Sequence, residues 1–140
     1  MVSLMGKIHW ARLEPYLRSL LRIMAAFTFS QHGWQKFFGW LGGIGGQSVP
    51  VSTMLGAAGV IETIGGALII LGLFTRPTAF ILSGEMAIGY FRTHAPRSFW
   101  TLLNGGEITV LYCFLWLWFS AAGGGPWSLD KLLRRKDMTS

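Results

Sequence analysis

The sequence predicts an all-α membrane protein, a four-helix transmembrane bundle with both termini in the cytoplasm and a short amphipathic interfacial helix at the C-terminal end. Three observations lead to this fold class. Hydrophobic side chains make up 51% of the 140 residues and charged ones only 13%, which is more apolar than soluble proteins usually are. The apolar residues form four runs, and the longest, from Thr53 to Phe74, contains one charge, Glu62. Lysine and arginine also concentrate on one predicted side of the membrane.

The four runs predict the spans. A helix of about 22 residues over the second run would be about 33 Å long, which is enough to cross the core of a bilayer. The predicted spans cover residues 16–38, 53–74, 77–91 and 102–122, and all 140 residues form a single membrane domain. Glycines break the chain between the first two spans, and Pro77 opens the third. The tail, 127–136, follows Ser128 as N-cap and is predicted to lie on the membrane surface.

The distribution of basic residues predicts the orientation. Nine lysines and arginines fall on one side and three on the other, so the positive-inside rule places both termini in the cytoplasm and the protein in the inner membrane. The nine are Lys7, Arg12, Arg18, Arg22, Arg76, Lys131, Arg134, Arg135 and Lys136; the three are Lys36, Arg92 and Arg97. We expect Arg18 and Arg22 to extend toward the headgroups. The N-terminal 18 residues lack the pattern of a cleaved signal peptide, and the net charge of +6 reflects orientation and not nucleic-acid binding.

Ionisable side chains inside the predicted spans are the candidate functional residues. A charge near the centre of a span costs about 2.5–3.5 kcal/mol on insertion scales, so such residues have either a function or a partner. Ala58, Glu62 and Gly66 share one helix face, which predicts that Glu62 points into the bundle. An outward-opening polar or quinone-binding pocket would be built from His32, Gln35, Lys36, Glu62, Asn104 and Glu107, with His94 and Arg92 nearby. The alternative is that these groups satisfy one another and only fix the helix register.

Glu85 and the histidines are interpreted separately. Glu85 lies near the centre of the third span, and a neutral acid hydrogen-bonded to a neighbouring helix is favoured over a role in proton relay, because the neutral form is the less costly one in hydrocarbon. The three histidines come from separate segments without metal-ligand spacing, so no metal site is predicted. We expect the aromatic residues of the fourth span to face lipid or a partner helix.

Four segments, in this order along the chain, resemble the DoxX family of small four-helix membrane proteins. They are residues 32–36 (HGWQK), 62–76 (ETIGGALIILGLFTR), 104–107 (NGGE) and 125–130 (GPWSLD). The resemblance implies a four-helix transmembrane bundle. The family is similar to the small membrane subunit of an archaeal thiosulfate:quinone oxidoreductase, and members have been linked to quinol oxidase and oxidative-stress complexes.

The resemblance leads to a functional expectation with two alternatives. The first is an accessory or anchor subunit of a respiratory or other electron-transfer complex, without catalytic activity of its own and bound to other membrane subunits through the fourth helix. The second is a quinone-binding subunit of an oxidoreductase that uses His32, Lys36 and Trp34 beside apolar walls. The third is a small transporter that uses the glutamates for coupling, although no repeat or broken helix favours it.

Overall fold

All helices of the protein come from local signals that the chain carries in sequence. The computed structural model describes residues 10–138, and its regular structure is helical apart from one isolated β-bridge between Ile44 and Gln47. The helices are α1 (Trp10–Phe37), α2 (Met54–Leu71), α3 (Thr75–Gly89), α4 (Thr101–Asn104), α5 (Glu107–Ala122) and α6 (Leu129–Asp137), and a π-helical segment, Tyr90–His94, continues α3. The all-α prediction is confirmed.

The four long helices pack as two hairpins. α1 packs along α2, α3 packs along α5, and the hairpins meet where α2 contacts α3. Aromatic residues join them in the core: the ring centroid of Phe29 on α1 lies 5.1 Å from that of Tyr112 and 5.3 Å from that of Trp116, both on α5 and both in edge-to-face geometry. Such pairs add about 0.5–1.5 kcal/mol beyond the area they bury.

The aromatic residues of α5 therefore do not all behave as predicted. Tyr112, Trp116 and Phe119 are buried in the core, whereas Phe114 and Trp118 are exposed. The expectation that this helix presents its aromatic residues to lipid or a partner is wrong for the first three. The reason is that α1 carries small residues along its inner face, and the large rings of α5 fill the space that these residues leave.

Glycines allow α1 and α2 to approach closely. A Cβ atom placed on Gly33 would lie 2.6 Å from the backbone nitrogen of Thr63, and one on Gly59 would lie 2.7 Å from Cβ of Lys36. Small residues in membrane helices permit this kind of backbone approach. The α1–α2 distance, and with it the position of every side chain between them, depends on these glycines.

We expect Gly33→Ala to destabilise the protein by about 1–3 kcal/mol, because the added methyl group meets backbone that cannot move without separating the two helices. Gly84 is the matched control, since a Cβ there would meet nothing within 4 Å. Gly84→Ala should be neutral or stabilise α3 by up to about 1 kcal/mol. Reversible unfolding in mixed micelles measures both. Equal stability of the two variants would contradict the close-packing account.

Helix boundaries differ from the predicted spans where glycine or side-chain caps intervene. α2 ends at Leu71 and not at residue 74, because Gly72 adopts the left-handed conformation with φ 68° and caps the helix. α3 begins at Thr75, two residues before Pro77, because Asp130 caps its N-terminus. The fourth span, predicted from residue 102, is interrupted at Gly105 with φ 70°, so that α5 begins at Glu107.

The two ends of the chain agree with the predictions only in part. α1 begins at Trp10, earlier than the predicted residue 16. Ser128 is the N-cap of α6, as predicted, and its side chain accepts a hydrogen bond from the backbone nitrogen of Lys131. Lys7, counted above as cytoplasmic, and the first half of the segment judged not to be a signal peptide lie outside the described residues.

One helix among residues 10–138, α2, is both long and apolar enough to cross a membrane. α5 is apolar but has 16 residues, and α3 has 15, fewer than the about 20 that usually span a bilayer core. α1 has 28 residues but carries several charged and polar side chains. The prediction of four spans with cytoplasmic termini stays a prediction.

Candidate functional site

A buried ion pair joins α1 and α2. Nζ of Lys36, in the last turn of α1, lies 2.6 Å from Oε1 and 2.7 Å from Oε2 of Glu62. The side chain of Glu62 is 2% exposed and that of Lys36 is 15% exposed. Gly59 lies one turn before Glu62, and its missing side chain makes room for the lysine stem. Glu62 thus points into the protein, and its charge is balanced from the neighbouring helix.

Glu85 on α3 completes a three-residue cluster. Its carboxyl group interacts electrostatically with both Glu62 and Lys36 and lies within hydrogen-bonding range of Glu62. Its Oε2 atom is buried and has no hydrogen-bond partner. We call Lys36, Glu62 and Glu85 the carboxylate cluster. A hydrogen bond between two carboxyl groups requires a proton on one of them, which suits a neutral acid at Glu85; its protonation state stays a prediction.

The other predicted pocket residues do not join this cluster. His32 and Glu107 are exposed, and Gln35 is half-buried. On a helix, residues four apart differ by about 40° in direction, so the face that brings Lys36 to Glu62 turns His32 outward. Glu107 lies in the first turn of α5, beyond the break at Gly105. The structure therefore assembles two of the six candidates and adds Glu85.

Asn104 belongs to a separate network that fixes the start of α5. Its Oδ1 accepts a hydrogen bond from the backbone nitrogen of Gly106 at 2.7 Å, and its Nδ2 donates to the Tyr90 hydroxyl at 3.1 Å and to the Ser98 carbonyl at 2.9 Å. His94 Nδ1 lies 3.0 Å from the backbone oxygen of Asn104. All these groups are engaged with one another, so the network holds the π-helical segment against α5. Tyr90 was not a sequence candidate.

A second polar centre, at the end of the protein that carries α6, is built on Arg22. Its side chain is 0% exposed. Nε donates to the carbonyl of Gly124 at 2.9 Å, NH1 donates to the carbonyls of Ile69 and Ile70, and NH2 donates to that of Trp127. The last carbonyls of a helix have no partner within it, and Arg22 supplies donors to those of α2.

The expectation that Arg18 and Arg22 extend toward lipid headgroups is therefore wrong for Arg22. Arg18 is also engaged with protein, donating to the carbonyl of Ala122 at 2.7 Å and to Glu14 at 2.8 Å. Both arginines close the C-terminal ends of packed helices instead. The physical reason is that five N–H donors in a planar fork satisfy several converging carbonyls better than headgroups and water would.

The titratable groups bear on metal binding as well. Within residues 10–138, no group of three or more histidine, cysteine, aspartate or glutamate side chains is placed to hold a metal ion. Cys113 is a free thiol, and the backbone oxygen of this residue accepts a hydrogen bond from Ser83 at 2.8 Å. The chemical capacity of the carboxylate cluster is thus to hold charge and a proton.

Comparison with known proteins assigns the family. A sequence model described as DoxX matches residues 17–95, more than half of the chain. The protein belongs to the DoxX family. A relative from Haemophilus influenzae, described as an uncharacterized protein, is 43% identical over 129 residues, which cover 89% of this chain and 96% of the relative. No solved structure matches this DoxX-family chain.

Membership in the DoxX family identifies a membrane protein. The matched residues include α1, α2, α3 and the π-helical segment, and so contain Arg22 and the whole carboxylate cluster. Asn104 and α5 lie beyond the match. The two buried polar centres of this DoxX-family protein are thus both based in the matched part of the chain.

Proposed function

We propose that this DoxX-family protein is an accessory membrane subunit that anchors other membrane subunits of a respiratory or other electron-transfer complex. In this proposal α1, α2, α3 and α5 cross the inner membrane, and both termini are cytoplasmic. The basic residues support the orientation: Arg18, Arg22 and Arg76 lie together at the end of the protein that carries α6, and the chain termini lie at that same end.

The observation that carries the proposal is the contrast between a closed interior and an open apolar surface. The charged groups within the helices are paired with one another, as Lys36 is with Glu62, or with backbone, as Arg22 is. By contrast, large apolar side chains are exposed on the outer face of α5: Leu111 by 60%, Phe114 by 65% and Trp118 by 44%. A lipid-facing helix needs apolar residues but not aromatic ones, whereas interfaces are enriched in aromatic residues.

Purification from native membranes tests this function. The tagged chain, extracted in a mild detergent, should retain subunits of an oxidoreductase complex. Phe114→Ala/Trp118→Ala should lose them, while the matched pair Phe80→Ala/Ile81→Ala, on the exposed face of α3, should not. Recovery of the chain without oxidoreductase subunits, or equal retention by both pairs, would contradict the proposal.

Quinone content separates this function from the quinone-binding alternative. The alternative needs Lys36 or His32 to donate to a quinone oxygen, but Lys36 donates to Glu62 and His32 lies on the exposed face of α1. We expect quinone extracted with the wild-type complex to be unchanged in Glu62→Gln and in His32→Ala. A loss in both variants would favour the alternative. The transporter alternative predicts proteoliposome flux that depends on Glu62 and Glu85, and we expect none.

A further inference from the structure

A basic cavity lies where α3 begins, α5 ends and α6 starts. Its volume is about 510 Å³, which is in the range of small-molecule sites. The charged residues lining it are Arg18, Arg76, Lys131, Arg134 and Asp130. Four cations and one carboxylate give a net charge of +3. The carboxylate is itself engaged, because Asp130 accepts hydrogen bonds from the backbone nitrogens of Phe74 at 2.8 Å and Thr75 at 2.9 Å.

Two buried donors at this cavity lack partners. Thr75 is 0% exposed, and its Oγ1 has no hydrogen-bond partner; the same holds for Nε of Arg18, which is also buried. Both residues line the cavity. Buried polar atoms are nearly always hydrogen-bonded, so an unpaired one calls for an explanation. Here two unpaired donors from different helices face one space that cations surround, which points to an anionic ligand with several acceptor oxygens.

The cations differ in how firmly they are held. Arg18 donates to the Ala122 carbonyl and Arg76 donates to the carbonyls of Ser120 and Ala121, so both guanidinium groups are fixed at the end of α5. Lys131 and Arg134 are exposed, and neither side chain has a hydrogen-bond or ion-pair partner among residues 10–138. The site thus combines fixed donors at its floor with two extended cations at its mouth.

We propose that this cavity binds the phosphate group of an anionic phospholipid. α6 places three leucines on one face (Leu129, Leu132 and Leu133), and Lys131 and Arg134 lie off that face, which is the pattern of a helix at the membrane surface. Phe74 at the rim is 63% exposed, so acyl chains would have an apolar wall beside the phosphate. Basic pockets between membrane helices typically bind lipid headgroups. This inference does not depend on the electron-transfer proposal.

Native mass spectrometry of the full chain in detergent, titrated with phosphatidylglycerol or phosphatidylcholine, tests the site. We expect wild type to retain phosphatidylglycerol selectively. Lys131→Gln/Arg134→Gln should weaken retention by on the order of 10-fold or more, since each basic residue near an anionic headgroup contributes about fivefold. Thr75→Val should also weaken it, because the variant removes the hydroxyl while keeping the shape of the side chain. Arg92→Gln/Arg97→Gln is the control, with the same change of charge at the other end of the protein.

Three results would overturn the assignment. The first is phosphatidylglycerol retention by Lys131→Gln/Arg134→Gln and by Thr75→Val that equals that of wild type. The second is an equal loss in the control pair, which would indicate attraction by net charge alone. The third is binding of inorganic phosphate or glycerol phosphate that depends on Thr75 while phosphatidylglycerol does not bind, which would assign the cavity to a free phosphate. Thermal unfolding of the lipid-free variants shows whether each one is folded.

Discussion

Arg22→Met is expected to lower the free energy of unfolding by at least about 4 kcal/mol. The guanidinium group donates to the backbone carbonyls of residues 69, 70, 124 and 127, and each buried carbonyl left without a donor costs about 1–3 kcal/mol. Methionine fills much of the volume but donates nothing. The loss should separate the segment after α5 from the end of α2, and unfolding in mixed micelles followed by circular dichroism measures it.

Two further variants make this prediction specific. Arg12→Met removes an exposed arginine from the same helix and should change stability by less than about 0.5 kcal/mol. Arg22→Lys should recover only part of the loss, because an ammonium group cannot reach four carbonyls in a planar fork. If Arg22→Met were as stable as Arg12→Met, the bonds of Arg22 would not be holding the two segments together.

Lys36→Met is expected to destabilise the protein by about 3–5 kcal/mol, the usual cost of removing one partner of a buried ion pair. The variant leaves Glu62, which is 2% exposed, and Glu85 without a cation. Glu62→Gln should cost less, because Glu85 still interacts with the lysine. Steady-state unfolding of the single variants and of the double variant Lys36→Met/Glu62→Met measures these differences.

The double variant decides what the pair contributes. If the ion pair is the source of the loss, Lys36→Met/Glu62→Met should be more stable than Lys36→Met, since no unpaired charge remains at that contact. A double variant whose loss equals the sum of the two single losses would show that the two residues act independently. That result would contradict a role for the pair in fixing the register of α1 against α2.

Much of the fold could be predicted from local sequence signals. The apolar run around Glu62 predicts α2, the Ser128 cap predicts the start of α6, and the face shared by Ala58, Glu62 and Gly66 predicts an inward carboxylate. These features depend on neighbouring residues along one helix, where spacing determines direction. The break at Gly105 was missed because apolar residues lie on both sides of it and the cap depends on Asn104.

The candidate site could be predicted only in part. Lys36 and Glu62 were among six candidates, and only the packing of α1 on α2 shows that these two meet. Spacing along α1 suggested that His32 would join them, but the rotation of the helix against its neighbour turns the imidazole outward. Glu85 was recognised as unusual without its partner, because the contact between α2 and α3 cannot be derived from either helix alone.

The sequence by itself determined that this is a helical membrane protein of the DoxX family with charges buried in apolar helices. Composition, periodicity and motifs suffice for this, because they act within single segments. Only the tertiary structure decided that Arg22 is buried as a cap for α2 and that Arg18 and Thr75 face one basic cavity. Those arrangements bring together residues about 50 to 100 positions apart, whose meeting depends on how closely the helices pack, and the glycines between α1 and α2 set that distance.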